Sequence, residues 1–153
     1  MPESRPVAVA LGSNLGDRQA HLHHAVARLG QVLSDLRVSG FVETAPEGGA
    51  PQPHYLNAAA VGWSAAPPTD LLASFLTIED AGARTRPFPR APRTLDLDLI
   101  LVGDLVVTSP DLELPHPRFR DRRFVLAPLA EIAPDLIDPV TGLTVTELLA
   151  QLR

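Results

Sequence analysis

The sequence of 153 residues contains neither cysteine nor lysine, so all 13 of its basic residues are arginines. Without cysteine there can be no disulfide, no thiol nucleophile and no thiolate zinc site. Without lysine there can be neither a Walker-type phosphate lysine nor a Schiff-base lysine. A genome that favours Arg, Ala and Pro codons is the simplest cause of the missing lysine. Arginine is therefore the cation available for an anionic ligand.

The sequence also lacks an apolar run of membrane-spanning length, and residues 1–6 lack the apolar core of a signal peptide. We therefore expect no membrane segment and a cytoplasmic location. The length and the ordinary composition, 45% hydrophobic and 20% charged, predict one domain over residues 1–153. We expect this domain to be a monomer.

The charge distribution indicates the kind of ligand. The net charge of −5 disfavours a general nucleic-acid binder. The arginines nevertheless cluster, because eight of them lie between positions 84 and 123: Arg84, Arg86, Arg90, Arg93, Arg118, Arg120, Arg122 and Arg123. A local cationic cluster inside an acidic protein indicates a small, highly anionic ligand.

One apolar stretch, from Leu95 to Val102, has the pattern of a buried strand but contains Asp96 and Asp98. Alternation along a strand predicts that the leucines at 95, 97, 99 and 101 share one face, and that both acids and Ile100 share the other. Two adjacent carboxylates in a core strand repel each other unless a cation lies between them. Paired carboxylates with substrate phosphates are a typical magnesium site. The alternative is an edge strand whose acids face water.

The remaining hydrophobic periodicity predicts the fold. Strands are predicted at 7–11, at 32–44 with a break near Asp35 and Gly40, at 56–63, from 95 onward and at 105–107. Helices are predicted at 17–30, at 69–83, in pieces over 119–132 with an interruption at Pro128, and at 144–153. This order is a split βαβ pattern, which predicts an α+β ferredoxin-like sandwich with an antiparallel sheet, helices against one face and extra C-terminal elements.

The residues before the acid strand suit phosphoryl transfer. Glu79 lies near the end of the second predicted helix, and Arg84, Arg86 and Arg93 lie on the Pro-rich stretch that follows. Phosphoryl transfer needs cations on the transferred group, metal ions on its oxygens and exclusion of water. Arginines on a loop that acts as a lid beside a metal-binding strand would meet these needs.

Short motifs spread over residues 7–134 carry a more specific signal than the acid pair alone. They are GSNLGD at 12–17, FVET at 41–44, YLNAA at 55–59, IE at 78–79, RTLDLDL at 93–99, PHP at 115–117, RRFVL at 122–126 and APLAEIAP at 127–134. In this order they resemble the 6-hydroxymethyl-7,8-dihydropterin pyrophosphokinase family of folate biosynthesis.

The resemblance implies transfer of the β,γ-diphosphate of ATP to the hydroxymethyl group of a reduced pterin, with release of AMP. It implies two Mg²⁺ ions at Asp96 and Asp98, and phosphate contacts from Arg84 and Arg93. Further implied contacts are those with ATP at Glu79, Arg86, His116 and Arg122, and those with the pterin at Asn14, Thr44, Tyr55, Asn57 and Phe124.

The residue types of the implied pterin pocket also make chemical sense. A flat heterocycle needs aromatic faces, such as Tyr55 and Phe124, and amide hydrogen bonds, such as those of Asn57. Plain core packing is the alternative for the two aromatic residues. His116 can donate a hydrogen bond to a phosphate or can be a surface histidine in a turn. Arg90 stands where the family often has a Trp that stacks on the pterin, so this stack is absent or made by the arginine.

Two other functions fit part of these observations. Another nucleotide enzyme with an acid pair on a sheet, such as a polymerase-like or sugar-nucleotide transferase, would release pyrophosphate rather than AMP. A non-catalytic sensor on the same fold would bind its ligand without magnesium. The lack of a basic tract argues against a polynucleotide substrate, and the clustered acids and arginines argue against a sensor.

Overall fold

The computed structural model describes residues 3–45, 54–82 and 95–152. The α-helices in these ranges are α1 (Arg18–Val32), α2 (Pro68–Gly82), α3 (Arg123–Ile132) and α4 (Val145–Gln151), and a 3-10 turn covers Phe119–Asp121. The strands are β1 (Arg5–Ser13), β2 (Ser34–Val38), β3 (Val42–Thr44), β4 (Tyr55–Ser64), β5 (Asp96–Val102), β6 (Val107–Thr108) and β7 (Glu113–Leu114). Within these ranges no helix is both long enough and apolar enough to cross a membrane.

The main sheet is antiparallel and has the strand order β2-β4-β1-β5, with β3 also paired to β4. Strands β1 and β4 therefore lie at the centre of the sheet. Along the chain the elements follow the order β1-α1-β2/β3-β4-α2-β5, so α1 and α2 are the two crossover helices. This is the predicted ferredoxin-like topology, which is confirmed. Strands β6 and β7 form a separate two-stranded ribbon, where one strand at 105–107 was predicted.

Both faces of the sheet are covered, whereas the sequence predicted helices against one face. Leu22 and Leu29 of α1 and Phe75 of α2 pack in one buried cluster with alternate residues of β1, β4 and β5. Phe119 and Leu126 pack in a second cluster on the opposite face, together with residues of α4. The C-terminal helices are therefore the second layer of the domain, because the apolar residues of that face also need burial.

Strand β5 is irregular after its acidic half. Val9 pairs with Leu99 and Ala8 pairs with Leu101, so Ile100 has no direct partner on β1. The extra residue changes the alternation. Leu97 and Leu99 belong to the first core cluster, but Leu101 packs with Ile100 in the second. The prediction that Leu101 shares a face with the other leucines was therefore wrong.

Other boundaries differ for local reasons. Helix α1 begins as predicted, since the Asp17 side chain accepts a hydrogen bond from Ala20 N at 3.0 Å, but it continues past Gly30 until Leu33 becomes extended. Pro128 is buried inside α3 without interrupting it, because packing outweighs one missing hydrogen bond. The predicted break near Asp35 is confirmed by its positive φ of 51° and a shift in register.

Candidate active site

A cavity of about 310 Å³ lies where adjacent ends of the central strands meet. It is bounded by the last residues of β1 and β3, the first residues of β4 and β5, and the start of α3. The lining residues that the sequence predicted are Thr44, Tyr55, Asn57, Asp96, Asp98, Arg122 and Phe124. Residues from four separate strands and one helix terminus are thus brought to one place, as antiparallel pairing of β3, β4, β1 and β5 requires.

Strand register sets the positions of the polar groups. Asp96 lies opposite Gly12 of β1, and Gly12 lies opposite Asn57 of β4. Asp98 lies opposite Ala10. Since neighbouring strands are about 4.8 Å apart, the backbones at Asp96 and Asn57 are roughly 10 Å apart. The acids and the amide therefore lie at opposite sides of one small cavity.

Gly12 also lines the cavity, a role that no sequence pattern predicted. A Cβ atom at this position would lie 3.1 Å from Asn57 Oδ1 and 3.6 Å from Tyr55 Cδ1. The absence of a side chain keeps the floor of the cavity open between the acids and the amide. The only sequence signal was a glycine at the end of an apolar strand, which was interpreted as the start of a loop.

The two acids occupy an edge strand, because β5 pairs within the described residues only with β1. Asp98 is exposed and Asp96 is half-buried. The alternative of an edge strand is thus correct in its topology, yet both side chains line the cavity. No group of three His, Asp or Glu residues suitable for a metal occurs in residues 3–45, 54–82 and 95–152. The acid pair is therefore not part of a larger cluster of such residues in this part of the chain.

Aromatic and cationic groups also line the cavity. Arg122 precedes α3, and its guanidinium lies 5.5 Å from the centroid of the Phe124 ring. Tyr55 and Phe124 are half-buried rather than enclosed in the core. Both residues present surface to the cavity, and Phe124 also packs against the second core cluster.

Asn57 is held in one orientation. Its side chain is buried, at 6% exposure, and its Nδ2 donates a hydrogen bond to Thr44 Oγ1. Thr44 is positioned for this bond because β3 pairs with β4 beside it. The bond directs the amide nitrogen toward Thr44, and the Oδ1 atom lies on the side of Gly12.

His116 lies outside the cavity lining but close to its charges. Its backbone N donates to Ile100 O at 2.9 Å, and its Nδ1 accepts from Arg118 N at 3.2 Å, so the ring proton of the neutral form belongs on Nε2. Burial lowers the pKa of His116 below 6.5; Asp98 and Glu113 oppose this effect, and Arg122 and Arg118 add to it. The ring is therefore neutral at pH 7 and can donate a hydrogen bond through Nε2.

We expect an NMR titration of metal-free protein to place the pKa of His116 below 6.5. Asp98→Asn should lower it further, because a charge that raises it is lost, and Arg122→Gln should raise it. Since the folded-state value is the lower one, the stability contributed by the neutral ring is complete above pH 6.5 and is lost as the pH falls toward the folded-state pKa. A higher pKa of His116 in the Asp98→Asn protein would contradict the effect assigned to the Asp98 charge.

The other predicted residues are placed differently. Asn14 is buried just beyond β1 and does not line the cavity. Glu79 is also buried, at 6% exposure, and its Oε2 accepts a hydrogen bond from Leu97 N at 2.7 Å. The predictions for Arg84, Arg86, Arg90 and Arg93 lie outside the described residues.

The sheet order defines a ferredoxin-like domain, and the cavity at the ends of its central strands is its candidate small-molecule site. The sequence model of the family described as 7,8-dihydro-6-hydroxymethylpterin-pyrophosphokinase (HPPK) matches residues 8–134. The chain belongs to this family.

Known relatives agree with this assignment. The chain is 41% identical over 145 residues to the 2-amino-4-hydroxy-6-hydroxymethyldihydropteridine pyrophosphokinase of Synechocystis sp., covering 94% of this chain and 74% of the relative. It is 42% identical over 147 residues to the protein of the same name from Methylorubrum extorquens, covering 94% and 91%. A crystal structure of Plasmodium falciparum HPPK-DHPS is similar in fold, with a TM-score of 0.76 at 12% identity. That match covers 98% of this chain and 46% of the Plasmodium chain.

Proposed function

We propose that this protein transfers the β,γ-diphosphate of ATP to the hydroxymethyl group of 6-hydroxymethyl-7,8-dihydropterin in folate biosynthesis. The pterin hydroxyl oxygen forms a bond to the β-phosphorus and its proton passes to solvent. The bond between that phosphorus and the α,β-bridging oxygen breaks, and AMP leaves with this oxygen. Family membership and the names of relatives at about 40% identity support this activity. One structural observation carries it: an acid pair, an arginine, two aromatic side chains and an oriented amide all line one cavity.

We assign magnesium binding to Asp96 and Asp98. The donor set supports this choice, because two carboxylates without sulfur or imidazole suit a hard cation whose remaining ligands are phosphate oxygens and water. Magnesium at this position, proposed as two ions, would neutralise charge on the transferring phosphates. Asp98 is the more exposed of the two acids, so it can coordinate a magnesium ion without a change in the core.

Arg122 and His116 are the described groups best suited to phosphate contact. The Arg122 guanidinium offers several N–H donors in a planar arrangement that suits phosphate oxygens. The neutral His116 ring offers one donor, Nε2, without adding a charge. Arg84 and Arg93 remain proposed contributors that act on the phosphates, and Arg86 remains a proposed ATP-binding residue, on the resemblance of their motifs. The resemblance implies ATP contact for Glu79 as well, and the Glu79 variants described below test that role against a positioning role.

We assign the pterin to the side of the cavity formed by Tyr55, Asn57 and Phe124. The aromatic side chains offer faces for a flat ring, and the amide offers hydrogen bonds to its edge. Thr44 supports this function by fixing the orientation of Asn57. Asn14 is buried and directly follows β1. It remains a proposed pterin-binding residue. A pterin seated here would point its hydroxymethyl group across Gly12 toward the acids.

The direct test is incubation with γ-labelled ATP, Mg²⁺ and the reduced pterin. AMP and a labelled pterin diphosphate should appear in equal amounts, and only when both substrates and the metal are present. Release of pyrophosphate without AMP would indicate another nucleotide transferase and would contradict the proposal. Magnesium-independent ligand binding without turnover would indicate a sensor and would also contradict it.

Asn57→Leu should weaken pterin binding selectively. The substitution replaces a buried, hydrogen-bonding amide by an apolar side chain of similar volume. We therefore expect the KM for the pterin to rise about 10- to 100-fold. The KM for ATP should change by less than about twofold. Thr44→Val is the matched control, since it removes only the group that orients the amide and should have a smaller effect. Equal changes in both KM values would contradict this assignment.

We also propose that the protein acts as a cytoplasmic monomer. Analytical ultracentrifugation over a range of concentrations tests the oligomeric state, and fractionation of the source cells tests the location. A concentration-dependent dimer would contradict the first statement.

A further inference from the structure

A buried carboxylate accepts a hydrogen bond from the outer edge of β5. Within the described residues β5 has one strand neighbour, β1, so the amide groups on its other edge cannot be satisfied by the sheet. One of them, Leu97 N–H, donates to Glu79 Oε2 at 2.7 Å. Leu97 and Glu79 are 5% and 6% exposed, so this bond is largely shielded from water.

The position of this bond relates it to the acid pair. Leu97 is the residue between Asp96 and Asp98, so a shift of its backbone moves both carboxylates. Loss of the acceptor oxygen would leave this shielded amide unsatisfied, which is unfavourable because a buried donor cannot regain its bond to water. Three residues further along the same edge, Ile100 O accepts from His116 N at 2.9 Å. The exposed Asp98 therefore lies between two points at which β5 is fixed to neighbouring segments.

We infer that Glu79 is a positioning residue that holds the Asp96–Asp98 pair in the geometry required for the divalent cation. It acts through the Leu97 amide, and its role does not require contact with ATP. The inference rests on the proposed function only in naming the ligand of the acids as a metal–nucleotide complex. Its physical content is that loss of the Glu79–Leu97 bond loosens β5 at the two carboxylates.

Substitutions of Glu79 can separate the effect of its side-chain length from the effect of its charge. Glu79→Gln keeps an oxygen at the same distance and removes the charge, whereas Glu79→Asp keeps the charge and is one methylene too short to reach the amide. Glu79→Ala removes both. Asp80→Asn, on the exposed neighbouring residue, is the control for a change of charge at this end of α2.

Two measurements need neither pterin nor turnover. The first is the affinity for Mn²⁺ in the presence of a non-hydrolysable ATP analogue, followed by electron paramagnetic resonance. We expect Glu79→Ala and Glu79→Asp to weaken it roughly 10- to 100-fold, as for other groups that orient metal ligands. We expect Glu79→Gln to stay within about threefold of the unmodified protein, and Asp80→Asn to be unchanged. The second is hydrogen exchange at the Leu97 amide, which should accelerate in the Ala and Asp variants only.

The outcomes distinguish the possible roles. If Glu79 instead contacts ATP through its charge, Glu79→Gln should be as defective as Glu79→Ala, and the nucleotide affinity measured without metal should fall in both; this would overturn the inference. If the role is only structural, the unfolding temperature should fall while the folded variants keep the normal Mn²⁺ affinity, which would also overturn it. Should Glu79→Ala not fold, the comparison of the Gln and Asp variants decides. Absence of pterin-dependent AMP formation by the unmodified protein would refute the proposed function, yet leave these measurements interpretable.

Discussion

Asp98→Asn is expected to lower the rate of AMP formation about 10²- to 10³-fold or more, because it removes a preorganised charge from the cavity. The amide is a weaker ligand for a hard cation than the carboxylate, because it offers one neutral oxygen and no negative charge. Asp98 is exposed, and its neighbours Leu97 and Leu99 carry the packing of this part of β5. The far-UV spectrum and the unfolding temperature should therefore stay close to those of the unmodified protein. Initial rates at saturating ATP and pterin, measured across a magnesium titration, provide the test.

Asp104→Asn is the matched control for this experiment. Asp104 follows β5, is exposed and does not line the cavity, so the same loss of one charge should leave the rate unchanged. Comparable rates for Asp98→Asn and Asp104→Asn would show that the acid pair does not bind the metal. A loss of activity accompanied by unfolding would assign Asp98 to stability, which its exposure argues against.

The acidic half of β5 could be predicted from the sequence, but its apolar half could not. Two aspartates alternating with leucines define a face, and the structure places both acids in the cavity. From Leu99 to Val102 four apolar residues follow each other, so no polar residue marks which one is extra. The bulge at Ile100 is instead determined by the pairing with β1 and by two cores that both need filling.

Long-range pairing explains what could and could not be predicted of the site. Tyr55, Asn57 and Phe124 were nominated by the resemblance of their motifs. Residue type alone left core packing as the alternative for the two aromatic residues, whereas a buried amide such as that of Asn57 needs a hydrogen-bond partner. The importance of Gly12 depends on Asn57 approaching from the next strand, which no local pattern contains. The bond from Leu97 N to Glu79 depends in the same way on the packing of α2 at the edge of β5.

Asp138→Ala is expected to lower the free energy of unfolding by about 3 kcal/mol, the lower end of the range for breaking a buried ion pair. The Asp138 side chain is fully buried and is paired with Arg120, whose side chain is 26% exposed. Arg120 Nε and Nη2 donate to the two carboxylate oxygens at 2.5 and 3.0 Å, and Val140 N and Thr141 Oγ1 donate at 3.1 and 2.8 Å. The pair joins the turn before α3 to the turn before α4, so its loss leaves several donors unsatisfied.

Thermal or denaturant unfolding measures this effect, with an expected fall in Tm of roughly 6–12 °C for a chain of this length. Asp135→Ala, at an exposed position three residues earlier, should change the unfolding free energy by less than about 0.5 kcal/mol. A double-mutant cycle with Arg120→Ala isolates the contribution of the pair. A loss no larger than that of Asp135→Ala would contradict the role of Asp138 in joining these segments.

The pH dependence of stability provides an independent check on Asp138. Burial raises the pKa of this carboxyl, but the hydrogen bonds from Arg120, Thr141 and Val140 and the charge of Arg120 outweigh burial and hold the pKa below 3.8. Because the folded-state value is the lower one, the stability that it contributes is present above pH 3.8 and is lost as the pH falls through the folded-state pKa. In Asp138→Asn this component of acid unfolding should disappear, so its stability should fall less steeply below pH 4 than that of the unmodified protein. An unchanged slope would mean that other carboxyls account for the acid sensitivity, even if the variant is less stable at neutral pH.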